Sequence, residues 1–163
     1  MFKGIHTNFE LIKKFHRVFG RSPDPVVPTV TDIESRKLRA KLMFEEFEEL
    51  LAELGLQINF ELMPAEDGIE NDVMRFEIVF DEIVNHKVDL AKVAKETSDL
   101  LYVTYGTGAS MGLPIDDVYL AVHNSNMSKM GPDGKAIRRE DGKILKGPNY
   151  KEPDVKSIIE RIK

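Results

Sequence analysis

Apolar residues recur at helical spacing along most of the chain. Phe9, Ile12, Phe15 and Phe19 stand three or four positions apart, the repeat of a single helix face. Asn8 is the expected N-cap and Gly20 the stop, so the pattern predicts a first helix from Asn8 to about Phe19 with these four residues in the core. Contact of Phe15 or His16 with a bound base is the alternative reading. Pro23, Pro25 and Pro28 make the stretch from Ser22 to Val30 an extended connector, because proline removes a backbone donor and restricts the residue before it. Thr31-Asp32-Ile33-Glu34 then reads as a capping box. It opens a second helix predicted to reach Leu54, with Gly55 just past its end.

The second helix has two unlike sides. Met43, Phe44, Phe47, Leu50, Leu51 and Leu54 form a broad apolar face, and Glu45, Glu46 and Glu49 lie opposite. Such acids usually face solvent. Here Leu38 and Leu42 begin the same stripe, which points to a covered surface. Gln57 to Gly68, with Pro64 and Gly68, reads as a loop. A third helix is predicted from Ile69 to His86. Its core stripe is Val73, Phe76, Phe80 and Ile83/Val84, and its acids Glu70, Asp72, Glu77, Asp81 and Glu82 face solvent.

Asp89 is placed to cap a fourth helix, Leu90 to about Ser110. From Leu100 to Tyr105 that helix is apolar or weakly polar on every side, the pattern of a buried helix. Glu96 and Asp99 share a stripe with Val93, Leu100 and Val103. Acids on such a stripe need an ion partner or a metal. Gly112-Leu113-Pro114 breaks the chain, and Pro114 suits the first turn of a fifth helix ending near Ser128.

Composition changes after that. Between Lys129 and Lys151, Lys129, Lys135, Arg138, Arg139, Lys143, Lys146 and Lys151 outnumber Asp133, Glu140 and Asp141. Asp141-Gly142 between two short runs predicts a small hairpin at 136 to 146. A last short helix is expected from Asp154 to Ile162. The expected architecture is an all-α helical bundle of about five main helices with a small C-terminal hairpin or flap. It forms a single domain over 1–163, with an acidic-helix core at about 31–128 and a basic flap at about 129–152.

Charge and composition narrow the chemistry. The 163 residues carry a formal net charge of -5, which argues against a broad nucleic-acid surface. There is no cysteine, so disulfides, zinc–thiolate sites and a cysteine nucleophile are excluded. The first residues lack an apolar signal core and no apolar run approaches a membrane span, so a cytoplasmic protein without membrane attachment is the expectation. No G-x-x-x-x-G-K-[ST] loop, G-x-G-x-x-G turn or G-x-S-x-G elbow is present. None of His6, His16, His86 and His123 stands three residues after a glutamate, as a di-iron bundle requires.

What remains is two acidic stretches. Glu45 and Glu46 neighbour Glu49 on one helix, and Glu96 neighbours Asp99 on another, because side chains three and four apart share a face. If those helices pack together, their carboxylates converge and repel unless cations intervene. Hard oxygen ligands suit Mg²⁺ or Mn²⁺.

With the segments that follow, the pattern is more specific. Phe44-Glu45-Glu46-Phe47-Glu48-Glu49-Leu50, Glu96-Thr97-Ser98-Asp99-Leu100-Leu101-Tyr102, Asn126-Met127-Ser128-Lys129 and the stretch from Asp141 to Tyr150 together resemble the all-α nucleoside triphosphate pyrophosphohydrolases. This is the MazG-like group that includes dimeric dUTPases and phosphoribosyl-ATP pyrophosphohydrolase. The resemblance covers about 31 to 153. It departs from the compact members in the long segment between Glu49 and Glu96.

The resemblance implies hydrolysis of a nucleoside triphosphate to the monophosphate and pyrophosphate. It implies Mg²⁺ (or Mn²⁺) on Glu46, Glu49, Glu96 and Asp99, with Glu45 as general base. Asn126 and Lys129 would contact the nucleotide, and Lys143, Lys146 and Tyr150 would close over the phosphates. A homodimer or dimer of dimers and a house-cleaning role are implied too, with dUTP the first substrate to test. The competing readings are a phosphoribosyl-ATP pyrophosphohydrolase, a non-catalytic helical module that binds nucleotide or metal, and a purely structural bundle.

Overall fold

The computed structural model describes residues 7–20, 23–62 and 76–162. In order they form α1 (Asn8–Phe19), α2 (Ile33–Glu53), β1 (Leu56–Leu62), β2 (Phe76–Glu82), α3 (Leu90–Ser110), α4 (Ile115–Met127) and α5 (Val155–Glu160). The chain divides into two compact units. One comprises Ile33–Thr104, and the other comprises Met1–Asp32 together with Tyr105–Lys163.

In the Ile33–Thr104 unit, α2 ends where the sequence places its stop. Gly55 takes φ 75°, a left-handed conformation that glycine adopts without steric cost. Its carbonyl then accepts a 2.7 Å bond from Ile83 N–H, which closes the base of a β-hairpin. β1 and β2 pair antiparallel, with Ile58 opposite Phe80 and Phe60 opposite Ile78.

This hairpin corrects two expectations. Gln57–Leu62 is strand rather than loop, and Phe76–Glu82 is strand rather than the C-terminal half of a helix. The all-α expectation therefore holds approximately: the described residues are mostly helical, with one two-stranded sheet added. The reason is local. Leu56, Ile58, Phe60 and Leu62 alternate with Gln57, Asn59 and Glu61, a repeat of two that fits a pleated strand. Phe76 and Phe80 also match a helical repeat, but Ile78 between them restores the alternation. Glu70, Asp72 and Val73 of the expected helix lie outside the described residues.

α3 begins at Leu90 as expected, with Asp89 Oδ1 accepting from Ala91 N–H at 2.9 Å. The boundary between the two units falls within this helix.

In the other unit, Thr7 rather than Asn8 caps α1, its side chain accepting from Glu10 N–H. The Thr7 hydroxyl also donates to Asp116 in the first turn of α4, at 2.7 Å. Phe9, Ile12 and Ala109 are buried together, with Tyr105 and Ile115 packed against them. Phe15 and Phe19 are largely exposed and contact each other at 4.8 Å between ring centroids. His16 turns to Asp24, 2.8 Å away. Gly108 lets α4 come close: a Cβ there would lie 2.2 Å from Ile115 Cγ1.

The C-terminal basic stretch returns to α4. Ser125 Oγ donates to the Lys151 carbonyl at 2.7 Å, and Lys151 N–H donates to Ser128 Oγ at 2.9 Å. The expected small hairpin takes the form of two single antiparallel bridges, Met130 with Ala136 and Arg138 with Ile144. α5 is shorter than expected and is capped by Asp154, which accepts from Ser157 N–H.

Candidate metal centre and active site

Within the Ile33–Thr104 unit, α2 and α3 meet through a ladder of charged side chains. Lys92 faces Glu53 at 3.4 Å, and Lys95 faces Glu49 at 4.0 Å. One step further along, Glu46 meets Glu96 and Asp99. Positions rise along α2 as they fall along α3, so the two helices run antiparallel over this contact.

The last step is the chemically unusual one. One carboxylate oxygen each from Glu46, Glu96 and Asp99 lies within 4.8 Å of the others. Glu96 is buried, at 8% exposure, and Glu46 and Asp99 are partly buried. Burial holds the Glu46 carboxyl above its ordinary pKa. Repulsion from Glu49, Asp99 and Glu96 adds to this, and Lys95 opposes it.

Lys95, which the motif pattern in the sequence does not single out, joins this group. Its Nζ lies 2.9 Å from one oxygen of Glu96 and 3.0 Å from the other. It also lies 3.1 Å from Asp99 Oδ2. Those hydrogen bonds, to Glu96 first and then Asp99, hold the ammonium well above the usual lysine range. A signal was available: Lys95 stands four residues before Asp99, on the same helix face.

The five expected acids are therefore not equivalent. Glu46, Glu96 and Asp99 form the close group, and Glu49 reaches it through Lys95. Glu45 stands apart, with its carboxylate 3.5 Å from Lys41 Nζ one turn earlier. The expected substrate-binding residues belong to the other unit. Asn126 lies in the last turn of α4, and its carbonyl accepts from Lys129 N–H at 3.2 Å. Lys146 Nζ sits 4.2 Å above the Tyr150 ring. Lys143 N–H bonds Asp141, which shapes the turn.

The donor set fits a divalent cation. All three groups are hard carboxylate oxygens, the ligand type that Mg²⁺ prefers, and one oxygen of each lies within 4.8 Å of the others. The position is also already suited to positive charge, because an ammonium lies against two of the three ligands. The acidic cluster can thus hold a metal ion. Once compensated, it can present that charge to an anionic substrate such as a phosphate ester or anhydride. No described helix is long and apolar enough to cross a membrane.

Comparison with known proteins bears on this arrangement. No curated protein matches the chain. Among solved structures, a proposed NTP pyrophosphohydrolase from Exiguobacterium sp. 255-15 is similar over 96% of this chain and 95% of its own, at 21% identity and a TM-score of 0.43. The family model for phosphoribosyl-ATP pyrophosphohydrolase matches residues 12–126, a span that includes both acidic helices. The chain belongs to this family, within the all-α nucleoside triphosphate pyrophosphohydrolase superfamily, and is a hydrolase acting on a phosphoanhydride.

Proposed function

We propose that the protein hydrolyses a ribo- or deoxyribonucleoside triphosphate to the monophosphate and pyrophosphate, with Mg²⁺ as its metal and Mn²⁺ as a substitute. The observation that carries this reading is the approach of Glu46, Glu96 and Asp99 to within 4.8 Å across α2 and α3. Like charges at that distance, one buried and two partly buried, repel and favour a cation among them. A bound divalent ion supplies charge neutralisation for the phosphates and acidifies a water molecule.

In this reading Glu46, Glu49, Glu96 and Asp99 hold the ions. Glu45 accepts a proton from the attacking water. The water oxygen bonds to the α-phosphorus, the bond from that phosphorus to the bridging oxygen breaks, and pyrophosphate leaves. Asn126 and Lys129 contact the nucleotide, and Lys143, Lys146 and Tyr150 cover its phosphates. The Lys146 ammonium above Tyr150 is one support for that last role, since cations and aromatic faces suit an anionic nucleotide. The whole chain works as one catalytic domain, acting in the cytoplasm to remove unwanted nucleotides, with dUTP the first candidate.

The assembly is a homodimer or a dimer of dimers. Supporting this, Phe60, Ile78 and Phe80 of the hairpin are 65%, 56% and 52% exposed. The cross-strand register sets Phe60 opposite Ile78 and Phe80 opposite Ile58, which makes an apolar face on an element that is marginal alone.

A second reading, hydrolysis of phosphoribosyl-ATP, is favoured by the family match over residues 12–126. The test is a pyrophosphate-release assay with Mg²⁺ over a panel of ribo- and deoxyribonucleoside triphosphates and phosphoribosyl-ATP. Mg²⁺-dependent release from a nucleoside triphosphate is expected. Release from phosphoribosyl-ATP alone would establish the second reading, and release from none would overturn both.

A further inference from the structure

We propose that Lys95 is a tethered counter-cation of the metal centre, one that holds the acidic cluster together when the metal is absent and competes with the divalent ion for the same carboxylates. This rests on the metal-binding reading of Glu46, Glu49, Glu96 and Asp99 and adds a residue that the reading leaves out.

The geometry is specific. The Lys95 ammonium touches both oxygens of Glu96 at 2.9 and 3.0 Å and Asp99 Oδ2 at 3.1 Å, with Glu49 Oε2 at 4.0 Å. Its contacts thus span α3 and α2. An ammonium has three donors and no acceptor, so it serves a ring of carboxylates as a small cation does. Both oxygens of Glu96 are engaged in this way, which leaves fewer lone pairs for an incoming ion.

Charge counting gives the direction of the effect. Glu46, Glu49, Glu96 and Asp99 carry a formal charge of -4 (one each), and Lys95 reduces this to -3. Every divalent ion that enters then meets a less attractive site while the ammonium remains. The ammonium can leave easily. The Lys95 side chain is 61% exposed and ends a flexible four-carbon stem, so it can turn to solvent without moving the helix. Metal entry therefore exchanges one cation for another. The cluster never stands as four bare carboxylates, and the lysine raises the metal concentration at which the site fills.

An ordinary surface lysine with acidic neighbours would have none of these consequences, and direct metal binding distinguishes the cases. Mn²⁺ binding is measured by electron paramagnetic resonance and by calorimetry on the full chain for wild type, Lys95→Met and Lys95→Arg. Thermal unfolding is followed with chelator and with saturating Mg²⁺. Lys95→Met keeps the stem and removes the charge. It should bind Mn²⁺ about tenfold more tightly and melt lower than wild type in chelator, with the deficit removed by Mg²⁺. Lys95→Arg should restore the chelator melting temperature.

Equal or weaker Mn²⁺ affinity in Lys95→Met, with wild type binding Mn²⁺ normally, overturns the proposal and leaves the metal reading intact. Absence of Mn²⁺ binding in wild type and Lys95→Met alike overturns both.

Discussion

Asp99 Oδ2 accepts the Lys95 ammonium at 3.1 Å while an oxygen of the same carboxylate lies within 4.8 Å of carboxylate oxygens of Glu46 and Glu96. Asp99 is thus shared between a cation the chain supplies and the position where a divalent ion would bind. Replacing Asp99 with Asn keeps the shape and removes one formal charge. Mg²⁺ affinity and turnover should fall together, measured by calorimetric titration beside steady-state rates. An Asp99→Asn enzyme that keeps both would remove the acidic cluster from the catalytic account.

Glu45 should behave differently, because it stands outside the close group and pairs with Lys41. Glu45→Gln is expected to retain binding of Mg²⁺ and of a non-hydrolysable triphosphate while turnover drops by about 10²–10⁴-fold, the range for loss of a general base. Near-normal turnover in this variant would refute the base assignment.

The hairpin supplies a test of assembly. Phe60 and Ile78 are cross-strand partners with exposed side chains, and charge at such a pair opposes burial against a second copy. Sedimentation of Phe60→Asp should shift towards monomer at micromolar concentration while the circular dichroism spectrum stays helical. An unchanged oligomer would show that this face is not the interface, and a monomeric wild type would exclude the dimer itself.

Proton binding at Glu46 should make the metal effect depend on pH. Burial and its acidic neighbours raise this carboxyl above the ordinary value of 4.5, so the folded, metal-free state binds the proton more tightly than the unfolded state. The stability this contributes is complete below the unfolded pKa and is lost as pH rises through the raised folded value. A metal ion compensates the ionised form. The Mg²⁺-induced rise in melting temperature should therefore be larger at pH 8 than at pH 5, and an equal rise at both would contradict this role for Glu46.

The helical segments were legible without coordinates wherever capping and periodicity agreed. Gly55 and the Asp89 turn lie where the helix ends were expected. The acidic pairs were also legible, because a spacing of three on a helix sets two side chains on one face whatever the surroundings. Phe76 to Glu82 is ambiguous in sequence, because Phe76 and Phe80 satisfy the helical repeat and Ile78 the strand repeat. Hydrogen bonding to β1 decides between the two, and the repeat within this one segment does not show that a neighbouring strand is there to pair with it.

The division of labour among the acids was likewise not local. Glu45 and Glu46 are adjacent and identical in type, yet one pairs with Lys41 and the other meets Glu96 and Asp99. A helix turns about 100° between neighbours, so the angle at which α3 lies along α2 selects one of them. The same contact brings Lys95 to Glu49, the second helix's share of an ammonium that Glu96 and Asp99 already hold. Sequence alone determined which residue types could form a cation site. The tertiary contact decided which carboxylates share it and that a lysine stands among them, because those distances depend on how two remote helices pack.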